Sequence, residues 1–98
     1  ATIGEAALIR GPELAVKYDH TRPNGERAIV SFRTFAGTMG ENIAKGQRSA
    51  EQVFKDWCNS PGHDANQTSD RYYKMGVAVF VQKIDDDYYL YSFVQLFG

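Results

Sequence analysis

The sequence predicts an α+β layered fold, and three observations carry that prediction. The chain is 98 residues long, the length of one domain with one core. Two helix-period segments, 2–18 and 49–58, flank a long stretch without periodicity. Two alternating runs rich in Val, Tyr and Phe close it and read as a β-hairpin. Helices followed by paired strands, rather than strict strand–helix alternation, point to segregated layers.

The first element is a helix over residues 2–18. Thr2 followed by Glu5 forms a capping-box pattern. Ile3, Ala7, Arg10, Leu14 and Lys17 share a helical face, which Ala6 and Tyr18 broaden. Gly11-Pro12 interrupts the pattern, so a kink or restart is expected there. Residues 19–46 are poor in periodicity and read as ordered loop, with a turn at Pro23-Asn24-Gly25 and a short strand over 41–44. Ser49 with Gln52 opens a second helix, 49–58, whose expected apolar face is Ala50, Val53, Phe54, Trp57 and Cys58. Asn59-Ser60-Pro61-Gly62 ends it. The hairpin pairs 72–83 with 88–97 through the turn 84–87. Apolar residues occur on both faces of both runs, so cover on both sides is expected.

Apolar residues make up 43% of the chain and charged residues 23%, which excludes a disordered class. The net charge of -1 gives no footprint for nucleic acid, and no apolar run reaches a membrane-spanning length. Thirteen aromatic residues supply large burial areas to a small domain (six Tyr, six Phe, one Trp). The single cysteine, Cys58, cannot form an intrachain disulfide and reads as a small buried hydrophobe. Trp57 reads as core, Arg22 as a solvated loop charge, and Asn42 and Asn66 as partners of loop backbone.

Five stretches, in order, resemble one family. His20-Thr21-Arg22-Pro23-Asn24-Gly25, Gly40-Glu41-Asn42-Ile43-Ala44 and Trp57-Cys58-Asn59-Ser60-Pro61-Gly62-His63-Asp64-Ala65-Asn66 are similar to the motifs of bacterial SCP-like domains. Met75-Gly76-Val77-Ala78 and Phe93-Val94-Gln95-Leu96-Phe97-Gly98 are similar to the strands that follow. These domains form the superfamily of cysteine-rich secretory, antigen 5 and pathogenesis-related (CAP) proteins. The likeness spans essentially all of residues 1–98, read as a single domain.

The resemblance implies an α-β-α sandwich with a central antiparallel sheet. It also implies a cleft of His20, Glu41 and His63, supported by Asn42, Ser60 and Asn66. The cleft is expected either to be a structural polar cluster or to hold zinc or another divalent cation on His20, His63 and Glu41. Three departures stand out. Asn59-Ser60 replaces a second glutamate common in eukaryotic members, and Gln67-Thr68-Ser69-Asp70 replaces an apolar run. The family normally has another helix before the segment that begins at Ala1, so the chain is expected to be either a fragment of a longer domain or a trimmed variant with one side of the sheet less covered. The implied role is a secreted or cell-wall-associated module that binds a small ligand, a lipid or a cell-surface partner without catalysis. A metal-dependent hydrolase of cell-wall or peptide substrates is the alternative. A serine-type mechanism at Ser60 is disfavoured, because spacing alone establishes no Ser–His geometry.

Overall fold

A computed structural model describes residues 1–98. The elements run α1 (Ile3–Val16), α2 (Ala28–Ala36), β1 (Gly40–Lys45), α3 (Ala50–Cys58), α4 (Pro61–Thr68), β2 (Met75–Asp85) and β3 (Tyr88–Phe97). The strands form one antiparallel sheet in the order β1-β3-β2, so the C-terminal strand is central.

Register explains the two cores. Residues directly opposite one another share a face of an antiparallel sheet. Ile43, Val94 and Ala78 align across the strands, as do Glu41, Leu96 and Gly76. That face packs on α1 and α2 through Ala6, Ala7, Leu14, Ala28 and Phe32. Ala44 and Phe93 align on the opposite face, where they pack against Val53 and Trp57 of α3. Helices on both sides of an antiparallel sheet give the expected α-β-α layering.

α1 opens with the predicted capping box: Glu5 N–H donates to Thr2 Oγ1 at 3.1 Å, and Thr2 N–H to Glu5 Oε1 at 3.4 Å. The expected interruption at Gly11-Pro12 does not occur; one helix runs through Pro12. Proline removes only the N–H that would reach the Leu8 carbonyl, and Leu8 lies at the solvent surface, where water can serve it. Lys17 and Tyr18 fall outside the helix, and both are exposed.

The structure adds two helices that the sequence pattern does not predict. α2 lies in the segment read as loop. Its buried positions, Ala28 and Phe32, are one turn apart, and Gly37 closes it at φ 74°. Its N-cap, Arg27, makes no side-chain cap bond. The start is instead fixed by contacts with the preceding turn, where Ala28 N–H donates to the His20 carbonyl at 3.0 Å. α4 begins at Pro61, which takes the first helical position and so opens a helix as well as closing α3.

α3 forms where expected, but only Val53 and Trp57 of its predicted face are buried; Ala50, Phe54 and Cys58 are exposed. A nine-residue helix lying on a narrow sheet buries one stripe, and the flanking positions stay wet. The strands are also covered unevenly. Gly76 and Ala78 are buried beneath α1, whereas Met75, Val77, Val79 and Val81 are about half-exposed. On the α3–α4 side the helices cover β1 and β3 and leave β2 bare, so the expected two-sided cover holds for only part of the sheet.

Candidate functional site

His20 is presented by a tight turn. Thr21 bridges to Arg27, Gly25 sits at φ 90°, and Asn24 Oδ1 accepts from Glu26 N–H at 3.0 Å. Asp19 Oδ1 accepts from Thr21 N–H at 2.9 Å, and this bond lowers the Asp19 pKa from its ordinary value of 3.8. The neighbouring Lys17 and His20 lower it further.

Glu41 comes from the strand the sequence predicted, and its side chain is 1% exposed. Its Oε1 lies 2.9 Å from His20 Nδ1. An ionised carboxylate only accepts, so this contact places the His20 proton on Nδ1. In the neutral ring Nε2 is then an acceptor, on a side chain that is half-exposed.

The other partner of Glu41 is one the sequence reading counted only as part of a helical face. Arg10 is completely buried. Its Nε donates to Glu41 Oε2 at 2.6 Å and its Nη2 to Glu41 Oε1 at 3.4 Å. Nη2 also donates to the Asp19 carbonyl, and Nη1 to Glu13 Oε1 at 3.2 Å. Glu13 receives a second guanidinium, with Arg22 Nη2 at 2.7 Å from Oε2. Arg22 therefore departs from the solvated charge expected of it: it pairs with Glu13, donates to Ser31 Oγ at 3.0 Å and stacks over Phe32 at 4.4 Å. The available signal was helical spacing, since Arg10 and Glu13 sit at i and i+3 on the buried side of α1.

His63 occupies the first turn of α4. Its Nδ1 lies 2.9 Å from Ser60 Oγ, and its backbone carbonyl accepts from Asn42 Nδ2 at 2.9 Å. Asn42 is fully buried and belongs to a chain of carboxamides. Asn66 donates to Asn42 at 2.9 Å, Asn42 to Gln95 at 3.0 Å, and Gln95 to Gln67 at 3.0 Å. Asn66 and Gln67 lie on α4, Asn42 on β1 and Gln95 on β3, so four side-chain amides fasten α4 to the sheet. Asn42 and Asn66 thus join two layers rather than serving loop backbone alone. Gln67, which replaces an apolar residue of the family pattern, is satisfied by Gln95. Trp57 completes this wall as core: it is 4% exposed, and its Nε1 donates to the Ile43 carbonyl at 3.3 Å.

Strand alternation sends Glu41 towards α1 and Asn42 towards α4. The His20–Glu41 pair and His63 therefore approach β1 from its two faces, with Asn66 spanning them through a 3.4 Å bond to the Glu41 carbonyl. Beside His63 lies an open pocket of about 230 Å³, walled by Ser60, Trp57, Tyr18, Lys45 and Asp56. Burial raises the Tyr18 phenol above its ordinary 10.0. The Ser60–His63 bond joins the residue before α4 to that helix's first turn. No carboxylate hydrogen-bonds to the His63 ring, so the triad arrangement of a serine hydrolase is not present.

The expected metal set was His20, Glu41 and His63. No three His, Cys, Asp or Glu side chains gather into a group that could hold a metal ion. Both Glu41 oxygens face a buried guanidinium, which explains why the donor set does not fit a cation.

Comparison with known proteins agrees with this architecture. The family model described as "CAP: Cysteine-rich secretory protein family" matches residues 7–97. The chain is also similar to "Uncharacterized protein YkwD" of Bacillus subtilis (strain 168), with 33% identity over 81 residues. That alignment covers 78% of this chain and 32% of the relative, so the chain spans about a third of the relative's length. No solved structure matches. No helix is long and apolar enough to cross a membrane. With a family model covering nearly the whole chain, four of the five motifs placed on one sheet and its helices and the first in the turn before α2, the chain belongs to the CAP, or cysteine-rich secretory protein, family.

Proposed function

We propose that this chain is a non-enzymatic binding module that works outside the cytoplasm, in secreted or cell-wall-associated form. In this reading the free edge of β1 is the floor of one cleft, with His20 and Glu41 on one side of the strand and His63 on the other. His20 and His63 meet the ligand, and Glu41 orients His20. The observation that carries the reading is the commitment of Glu41. Both its oxygens are engaged within the protein, so it offers neither a free base nor an open ligand position. The pocket beside His63 adds an aromatic wall from Trp57 and Tyr18 and polar groups from Lys45, Asp56 and Ser60, a combination suited to a small amphipathic ligand. The family's known extracellular setting supports the location.

The hydrolase reading receives less support, because its activated water would need a base or a metal donor that Glu41 cannot supply while paired with Arg10. Amide NMR titration with lysophospholipid, with a cell-wall muropeptide and with a short peptide separates the readings. The expected result is saturable shifts at His63, Ser60 and Lys45 with one class, abolished in His63→Ala, and no turnover. Hydrolysis of any of the three that is lost in His63→Ala would overturn it.

A further inference from the structure

The carboxylate of the cleft already has a cation. Arg10 reaches it from α1 and is fully buried, and four of its donor contacts fall on Glu41, Glu13 and the Asp19 carbonyl. A guanidinium stays charged at any pH a protein survives. Glu13 is shared with Arg22, through contacts of 3.0, 3.0 and 2.7 Å. Among the carboxylates and guanidiniums in direct contact, Glu41 and Glu13 are each matched by an arginine.

A divalent ion entering beside Glu41 would meet that pairing in one of two ways. It could add its charge beside a largely buried cluster whose two carboxylates are already matched by guanidiniums. Or it could displace Arg10, stranding a buried guanidinium whose only remaining carboxylate is already paired with Arg22. Neither route is favourable. The same contacts give Arg10 a positioning role. By holding the Asp19 carbonyl and Glu41 together, it fixes the turn that carries His20 and the carboxylate that orients the ring.

We infer that Arg10 is the resident cation of this cleft, standing in the electrostatic place of a divalent metal beside Glu41, and that the cleft is assembled without metal. The inference concerns the floor of the cleft and holds whether or not the proposed ligand is found, because its test contains zinc alone.

The test follows the Arg10 Nε–Hε resonance in ¹⁵N-labelled protein, identified by its loss in Arg10→Lys, together with calorimetric zinc titration. The expected result is an Arg10 signal unchanged by excess zinc chloride and the same melting midpoint in zinc as in EDTA. Zinc taken up by exposed imidazoles should leave the Arg10 signal in place. Loss or displacement of that signal on adding zinc would overturn the inference, and so would a melting midpoint that is higher in zinc than in EDTA.

Discussion

Replacing Arg10 with methionine keeps the aliphatic stem and removes the guanidinium, leaving Glu41 buried with only His20 beside it. Breaking a buried ion pair by removing one partner costs about 3–5 kcal/mol. The total stability of a domain is about 5–15 kcal/mol, so a large part of it is lost. At about 4–8 °C per kcal/mol for a chain of this size, the melting midpoint falls by about 12–40 °C. Trp57, the only tryptophan, is buried between α3 and β1 and reports unfolding by fluorescence in urea. The double variant Arg10→Met with Glu41→Leu removes both charges and should recover most of the loss, since a buried pair exchanged for apolar groups is often neutral or better. A single-variant cost below about 1 kcal/mol, with additive effects in the double variant, would refute the assignment of Arg10 and Glu41 as a coupled buried pair.

Other consequences are checked by similar means. Asn42→Ala leaves His63 O, Gln95 Oε1 and Asn66 Nδ2 short of a partner, and should cost about 1–3 kcal/mol in urea unfolding while moving the amide resonances of α4. Gly76→Ala drives a methyl into the Ile3 carbonyl, so α1 must shift, and a loss of about 1–3 kcal/mol is expected. Val79→Thr lies on the half-exposed stripe of β2 and should change stability by less than about 0.5 kcal/mol. The Asp19 pKa is depressed in the fold, so its contribution is present above the ordinary carboxylate value and lost as pH falls through the folded one. Asp19→Ala should therefore flatten the acid limb of the stability profile. Tyr18 runs the other way: its phenol is raised by burial, so its contribution is present below pH 10.0 and lost as pH rises beyond it. Tyr18→Phe should flatten that alkaline limb.

Much of the frame was legible because local chemistry and tertiary structure agreed. Thr2 with Glu5 and Ser49 with Gln52 mark true helix starts. The alternation over 72–83 and 88–97 marks the hairpin, whose strands are Met75–Asp85 and Tyr88–Phe97. The helices that escaped notice are those whose ends are set from a distance. α2 lacks a side-chain cap and starts against the turn bearing His20, and α4 is announced by a proline that also ends the helix before it. Cys58 and Phe54 were misplaced because periodicity gives a face but not its width. At the site, the motifs marked His20, Glu41 and His63, and pattern placed Arg10 on the right face of α1. Pattern could not reveal that the side chain there reaches across 31 residues of sequence to a carboxylate. Long-range charge pairing leaves no periodic trace, and a buried arginine looks in sequence like any surface one.

The arrangement rests on Glu41 being held from both sides, by Arg10 beneath and by His20 above. Long-range ¹⁵N–¹H spectra of the imidazoles read this directly in the neutral ring. The account predicts that neutral His20 carries its proton on Nδ1, with Nε2 bare, and that the pattern reverts to the mixed tautomers of a free imidazole in Glu41→Gln. A wild-type His20 protonated on Nε2 would mean that its Nδ1 donates nothing to Glu41, and the cleft described here would not exist in solution.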